Sequence, residues 1–145
     1  MKIRSFDPPD VEPVFEIQSA CPQIAQWTVW DYERVSRGEM TGWIAESEGA
    51  VAGFLVARRV ANDVEVLNFA VRPEARRQGL GAALLREVFN WGKSLRAGKI
   101  FLEVRASNLD AIGFYEKFNF HATGRRPRYY SWPVDDALLL TANLE

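Results

Sequence analysis

The stretch Arg76-Arg77-Gln78-Gly79-Leu80-Gly81-Ala82 constrains this chain more than any other. It separates an apolar run, Val64 to Val71, that reads as a strand from a run, Ala82 to Leu95, that reads as a helix. Leu80, Leu84, Val88, Trp91 and Leu95 recur on one helical face, and Leu85 and Phe89 widen it. Two glycines at the junction let backbone approach a ligand without Cβ interference, and a helix start presents N–H groups that have no partner within the helix. Such a start attracts anions, phosphate above all, and Arg72, Arg76 and Arg77 add full positive charge to it. The junction reads as a pyrophosphate cradle, with a plain turn as the other reading. It is not a Walker loop, because no G-x-x-x-x-G-K-[ST] is present, and Leu84 stands where a dinucleotide fingerprint needs its third glycine.

The rest of the chain supplies alternating elements. Lys2-Ile3-Arg4 reads as a short strand, and Asp7 before Pro8 as an N-cap with proline at the first helical position. Val11, Val14, Phe15 and Gln18 trace the helix that Pro22 ends, and residues 31–37 read as a second short one. Trp43 to Glu46 and Val51 to Arg58 flank Ser-Glu-Gly-Ala as a hairpin. Val64 to Val71 is apolar enough for a strand covered on both faces. Gly98 is expected to close the long helix, Ile100 to Val104 to form a strand, and Ser107 to cap a helix over Asn108 to Lys117. Phe118-Asn119-Phe120 then turns into a further strand, and a polar and aromatic loop, Arg125 to Val134, leads to a last strand, Ala137 to Leu144. The order is mixed α/β, with helices between strands and a hairpin at each end.

The length, 145 residues, suits one domain spanning 1–145, and 48% hydrophobic with 26% charged residues suits a globular one. No segment approaches the ~20 apolar residues of a membrane span, and Met1 to Phe6 runs straight into Asp-Pro-Pro-Asp without a signal-peptide core. A single cysteine, Cys21, rules out an internal disulfide and suits the cytoplasm, and the lone His121 offers no metal cluster. Charge is uneven: residues 1–50 carry four Lys/Arg against nine Asp/Glu, whereas residues 72–99 carry seven Lys/Arg against two Glu. The basic stretch suits an anionic cofactor. The acidic one reads either as a solvated surface or as an attraction for a cationic substrate.

Two side chains stand out as acid–base candidates. Glu103 alternates with Leu102 and Val104 and lies near its strand's C-terminal end, the edge where open α/β sheets place their sites. It reads as a proton acceptor, directly or through water, or as an ion-pair partner of Arg105 or a neighbour. Tyr115 lies in the following helix; a phenol of pKa ~10 can protonate a departing thiolate of pKa ~8.5, or simply fill a core. Asn108 reads first as a helix start. Tyr129, Tyr130 and Trp132 read as hydrophobic cover on a loop, or as a substrate wall.

Taken together these blocks resemble the GCN5-related N-acetyltransferase (GNAT) family. Its signature, Arg/Gln-x-x-Gly-x-Gly/Ala, stands here as Arg76-Arg77-Gln78-Gly79-Leu80-Gly81, preceded by Leu67-Asn68-Phe69-Ala70-Val71-Arg72-Pro73. Glu103-Val104-Arg105-Ala106-Ser107-Asn108, Phe114-Tyr115-Glu116-Lys117, Arg128-Tyr129-Tyr130 and Asp135-Asp136-Ala137-Leu138 are similar to the ribosomal protein S18 alanine N-acetyltransferase branch. The resemblance covers roughly the last 80 residues well and the first 60 loosely. It implies a mixed sheet of about seven strands with flanking helices, acetyl-CoA as cosubstrate, no metal, and a protein or peptide N-terminus as acceptor, with neither nucleic acid nor membrane as direct partner.

By position, the resemblance implies that Phe69, Ala70 and Val71 pair with the pantetheine arm and supply an N–H to the thioester carbonyl. Arg77, Gln78, Gly79, Leu80, Gly81 and Ala82 would hold the pyrophosphate, with Arg76 leading the signature, and Asn108 would bond the pantetheine. Glu103 would be the proton acceptor and Tyr115 the proton donor. Three departures stand against the branch pattern: Asn119 replaces a glycine, Trp132-Pro133 alters the loop after the paired tyrosines, and Cys21-Pro22-Gln23 with Gln26-Trp27-Thr28 replaces an early His-x-x-Pro-Trp. Since that early segment lines the acceptor site in the family, other acceptors (a different N-terminus, a lysine, a small amine) stay open, as does a CoA-binding sensor without turnover.

Overall fold

Glu48 and Gly49 both take left-handed backbone conformations, φ 53° and 78°, the geometry of the two-residue turn whose twist matches a right-handed hairpin. They join β2 (Thr41–Ser47) to β3 (Ala50–Val60). The structure, a computed structural model, describes residues 1–144. Its other strands are β1 (Lys2–Ser5), β4 (Asp63–Val71), β5 (Lys99–Arg105), β6 (His121–Ser131) and β7 (Val134–Asn143), and its helices are α1 (Val11–Ser19), α2 (Val29–Ser36), α3 (Leu80–Ser94) and α4 (Leu109–Glu116). One seven-stranded sheet runs β1-β2-β3-β4-β5-β7-β6. Strands β4 and β5 are parallel, while β1–β2, β2–β3, β5–β7 and β6–β7 are antiparallel, so the sheet is mixed as the resemblance implied. Among the described residues no helix is long and apolar enough to cross a membrane.

The chain divides into two compact units, Met1–Arg58 with Val66–Trp91, and Arg59–Glu65 with residues 92–144. In the first, Val14 and Ile17 of α1 and Tyr32 of α2 are fully buried with Ile44 and Phe54 of the hairpin. Each such side chain contributes about 1.5–3 kcal/mol by leaving water. Helix α1 starts later than its proline suggests: Pro8–Asp10 form a single 3-10 turn, and the Asp10 carboxylate accepts the Asp7 N–H at 2.8 Å. The same carboxylate takes a bidentate grip from Arg4, at 2.7 and 2.8 Å, and Arg4 also pairs with Glu46. Strand β4 alternates between buried and partly exposed residues rather than being covered on both faces. Its buried side carries Val64, Val66, Asn68 and Ala70.

In the second unit, β5 lies inside the sheet, with Glu103 opposite Leu139 of β7. Two helix ends differ in detail from expectation. Arg96, at φ 58°, rather than Gly98, turns the chain out of α3, with Ala97 N–H donating to the Gly92 carbonyl at 2.9 Å. Asn108, rather than Ser107, caps α4, accepting the Ala111 N–H at 3.3 Å, because the Ser107 hydroxyl donates to Asp135 at 2.6 Å. Asn119 takes the left-handed turn at φ 66°, as its side chain permits. The largest correction concerns Arg125 to Val134. Arg125 to Ser131 is not a loop but the exposed end of β6, paired with β7 through Arg126↔Ala137, Tyr130↔Asp135 and Ser131↔Val134, with a register shift between Arg126 and Tyr130. Only Trp132 and Pro133 lie between the two strands.

Gly42 on β2 sets a packing limit in the first unit. A Cβ there would come within 2.7 Å of Val35 Cγ1 and 2.9 Å of Phe6 Cβ, closer than packed carbons tolerate. Gly42→Ala therefore lowers unfolding free energy by about 1–3 kcal/mol, measured by urea denaturation, with Gly49→Ala as a comparison whose cost comes from φ alone.

Candidate functional site

The first unit contributes the β4–α3 junction. The end of β4 is pinned before the turn begins: Arg72 N–H donates to Ala52 O at 2.7 Å, and its guanidinium reaches Val51 O at 3.1 Å. Arg77 and Gly79 both adopt left-handed backbone, φ 65° and 81°, so the chain doubles back twice within three residues. Gly79 O then accepts the Ala83 N–H at 3.0 Å, the first bond of α3. The N–H groups of Leu80, Gly81 and Ala82 consequently lie in the turn that a helix leaves unsatisfied. Arg77, Gln78 and Gly79 are exposed beside it. This arrangement can hold an anion with backbone amides, a partial helix charge and a flanking guanidinium.

Arg76 is turned elsewhere. Its Nε donates to Val71 O at 3.2 Å and its Nη2 lies 3.4 Å from the Cys21 sulfur, so this guanidinium ties the end of β4 to the chain leaving α1. Within the strand, Ala70 is buried and Phe69 and Val71 are partly exposed. Phe69 N–H donates to the Asn68 side chain at 3.1 Å. Gly53 lies close below: a Cβ there would stand 3.1 Å from Ala70 O.

The second unit holds Glu103, Tyr115 and Asn108. Glu103 projects from β5 on the face shared with Phe101 and Arg105, its side chain 20% exposed. Arg126 Nε approaches its Oε2 at 3.0 Å, yet that buried oxygen accepts no hydrogen bond, so the N–H points past it and the contact is one of charge rather than direction. Tyr130 is a second neighbour that spacing did not reveal. Burial, followed by the charge of Glu103, raises its phenol above the usual range. Arg105 stacks on the Tyr130 ring at 4.3 Å and donates to Pro133 O and Trp132 O at 2.9 and 3.0 Å, fixing the hairpin end. The paired tyrosines were visible in the sequence, but their strand pairing was not.

Tyr115 is buried on α4, edge-on to Phe114 at 5.6 Å and Phe120 at 5.5 Å. Burial raises its phenol well above the ordinary value, so it stays protonated across the physiological range and has a proton to give. Asn108 sits at the start of the same helix with its side-chain oxygen engaged in the cap. Its NH₂ group remains the part able to meet a ligand carbonyl.

The sequence model of the acetyltransferase (GNAT) family matches residues 8–120. A putative ribosomal protein bS18 alanine N-acetyltransferase of Bacillus subtilis is 32% identical over 140 residues, covering 95% of this chain and 92% of that protein. The bS18 alanine N-acetyltransferase of Escherichia coli K12 is 38% identical over 82 residues, 57% of this chain and 55% of that one. Among solved structures, the Escherichia coli S18 alanine N-acetyltransferase superposes with a TM-score of 0.88 at 26% identity, covering 99% of this chain and 94% of that one.

Tyr32 shares the burial-raised phenol of Tyr115. A group whose folded pKa lies above its unfolded value of ~10 stabilises the fold fully below that pH and loses the contribution as pH rises further. The urea midpoint should fall above pH ~10, and Tyr115→Phe should flatten that fall; equal slopes in both proteins would exclude Tyr115 as a contributor.

Proposed function

Because the chain belongs to the acetyltransferase (GNAT) family, and acetyl transfer is its chemistry, we propose that it acetylates the N-terminal alanine of ribosomal protein bS18 with acetyl-CoA. In this reading residues 1–145 act as a single N-acetyltransferase domain in the cytoplasm, where the ribosomal acceptor is made. The named relatives support the acceptor. The observation that supports the acid–base assignment is that Glu103 Oε2 accepts no directed hydrogen bond among the described residues, so that a shift of the exposed Arg126 side chain is enough to let a water or an ammonium reach it.

An α-ammonium of pKa ~8 is mostly protonated at neutral pH and has no lone pair with which to attack. Glu103 takes its proton, directly or through one water, and the freed amine attacks the thioester carbonyl. The new C–N bond forms as the C–S bond breaks; Tyr115 gives its phenolic proton to the departing thiolate, and the second proton shed by the nitrogen restores the phenol through solvent while Glu103 releases its own. Phe69, Ala70 and Val71 align the pantetheine arm along β4, with a backbone N–H of that segment polarising the carbonyl. Arg77, Gln78, Gly79, Leu80, Gly81 and Ala82 hold the pyrophosphate, Arg76 braces the strand end, and Asn108 donates to the pantetheine. No acyl-enzyme is needed, which suits a chain whose single thiol, Cys21, is buried against Val71 and Arg76. Attack within a ternary complex then draws much of its rate from positioning.

The test is a panel of peptides incubated with acetyl-CoA while free thiol is followed: an Ala-starting bS18 peptide, other N-termini, an N-blocked lysine peptide and small amines. The bS18 peptide should give the highest kcat/KM. A faster lysine peptide would move the acceptor class, and tight CoA binding without thiol release from any amine would make the protein a sensor. Glu103→Gln should lower turnover at pH 7 by about 10²–10⁴-fold with acetyl-CoA affinity retained, and recover partly as pH rises past the amine's own pKa. Tyr115→Phe should lower kcat more than it raises either KM, and an unchanged kcat would assign proton donation to another group.

A further inference from the structure

Asn68 is the one polar side chain on the buried face of β4, and every hydrogen-bonding atom it owns is engaged. Its NH₂ group donates to Ala25 O at 3.1 Å and to the Tyr32 hydroxyl at 3.0 Å, while its oxygen accepts the Phe69 N–H at 3.1 Å. Gln18, also buried, extends the network: it accepts from the Tyr32 hydroxyl and from Trp27 N–H at 3.0 Å, and donates to Trp27 O at 2.8 Å. The chain between α1 and α2 is thereby held at Ala25 and Trp27. Its near end is held at Cys21, whose sulfur lies 3.9 Å from Val71 O and 3.4 Å from Arg76. This connection has no helix or strand of its own, so its shape is set by these polar ties, by the Gln26 amide donating to Cys21 O and Ile24 O at 3.2 and 3.0 Å, and by the packing of Cys21, Ile24 and Trp27.

These ties fall at the two ends of one short stretch of strand, Asn68–Phe69 and Val71. That stretch is the part of β4 assigned above to the thioester arm, and the following argument rests on that assignment. Pro22, Gln23, Ala25, Gln26 and Thr28 are exposed in this connection, which meets that stretch of strand at Ala25–Asn68 and Cys21–Val71. If the thioester arm lies there as assigned, an acceptor that approaches from this side would pass along the connection.

We propose that Asn68 is a positioning residue that sets acceptor selection: by bonding Ala25 and Phe69 at once, it fixes the connection between α1 and α2 as one rigid wall of the acceptor site. It touches neither acetyl-CoA nor acceptor. Its effect is on which amine-bearing chain fits, because a wall tied to the strand holds its shape when the acceptor arrives, and little ordering entropy is lost on binding. A leucine of similar size at 68 removes all three bonds, to Ala25, Tyr32 and Phe69, while still filling the space, and takes the amide donor away from Ala25 O.

The test compares Asn68→Leu with Tyr32→Phe. The tyrosine variant removes one hydroxyl of the same buried network but leaves the Asn68–Ala25, Asn68–Phe69 and Gln18–Trp27 bonds in place. Both should lower the melting temperature. Asn68→Leu should raise KM for the best peptide about tenfold and flatten the ranking across the peptide panel, with acetyl-CoA affinity by calorimetry and kcat each within about threefold; a tenfold change corresponds to about 1.4 kcal/mol, the scale of one or two hydrogen bonds. Tyr32→Phe should leave peptide KM within about twofold. The proposal is overturned if Asn68→Leu keeps its peptide KM and ranking, or if Tyr32→Phe shifts them equally, since both effects would then follow stability alone. Should Asn68→Leu not fold, Asn68→Ser, which keeps one hydroxyl in place of the amide, is read by the same criteria. Absence of thiol release by the wild-type protein with every peptide would refute the function above, whereas wild-type turnover with unmoved variants refutes only the positioning role.

Discussion

A helix cannot bond its own first N–H groups, and this fold spends its strictest backbone geometry on delivering such a set of donors to one place. The end of β4 is locked by Arg72 on Val51 and Ala52 and by Arg76 on Val71 before the turn begins. Two left-handed residues, Arg77 and Gly79, then reverse the chain so that α3 starts within a few residues of the strand. A looser connection would present the same donors in many orientations, and a ligand would have to order them at a cost of about 1–2 kcal/mol per residue. The helix charge itself contributes only about 0.3–1 kcal/mol to a bound anion. In the pyrophosphate-binding role proposed for the junction, the fixing of the donors in advance would be what confers selectivity. Left-handed backbone is uncommon for a side chain such as Arg77, and the neighbouring ties on β4 hold the segment that carries it.

Glu103 is held in the opposite way, by a charge contact and not by a directed bond. Its charge partner Arg126 is 64% exposed, so the pair is screened by solvent and worth no more than about 1 kcal/mol. A firmly bonded, fully buried partner would hold the carboxylate far more tightly; in the role proposed for Glu103, the looser contact lets it exchange one donor for another. The surrounding hairpin is firm where Glu103 is not: Arg105 spans the Tyr130 ring and the carbonyls of Trp132 and Pro133, and Asp135 and Asp136 bond Ser107 and the Arg128 N–H. The acidic run Asp135-Asp136 is thus structural, and its hydrogen bonds hold both carboxyls below their usual range.

How much of this could be read from the chain depends on which physical signal each element leaves. Strand β4, helix α3 and the junction between them were legible because burial imposes periodicity and the turn imposes glycine. Asn119 was legible as a left-handed position for the same steric reason. The far end of β6 was not, because its residues from Arg125 to Tyr129 are exposed on both sides, so nothing forces an alternation of polar and apolar side chains. The end of α3 was misplaced by two residues because an arginine accepts the left-handed conformation that glycine usually takes. Ser107 and Asn108 are both good caps, and only the position of Asp135, distant in sequence, decides between them. Asn68 left a trace, a lone amide in an apolar strand, but its partners Ala25 and Tyr32 lie about forty residues earlier and carry no pattern of their own.

The acidic first third of the chain can be weighed in the same way. Asp10 and Glu46 are paired with Arg4, Glu39 with Arg34 and Arg37, and Asp31 closes the start of α2 by accepting the Thr28 N–H at 2.9 Å. With Asp7, which also lies 3.9 Å from Arg4, at least five of the nine carboxylates in residues 1–50 serve local geometry, and the negative balance there is less a field for drawing in cations than a by-product of fastening β1, the 3-10 turn and α2. Screening at physiological salt weakens the remainder beyond about 8 Å. With long-range attraction weak, the proposed function leaves discrimination among amines to short-range fit, beside β4 if the thioester arm lies there as proposed. On the positioning role proposed for Asn68, the shape of the Cys21–Thr28 connection then matters most, and the buried amides of Gln18 and Asn68 are what tie it down.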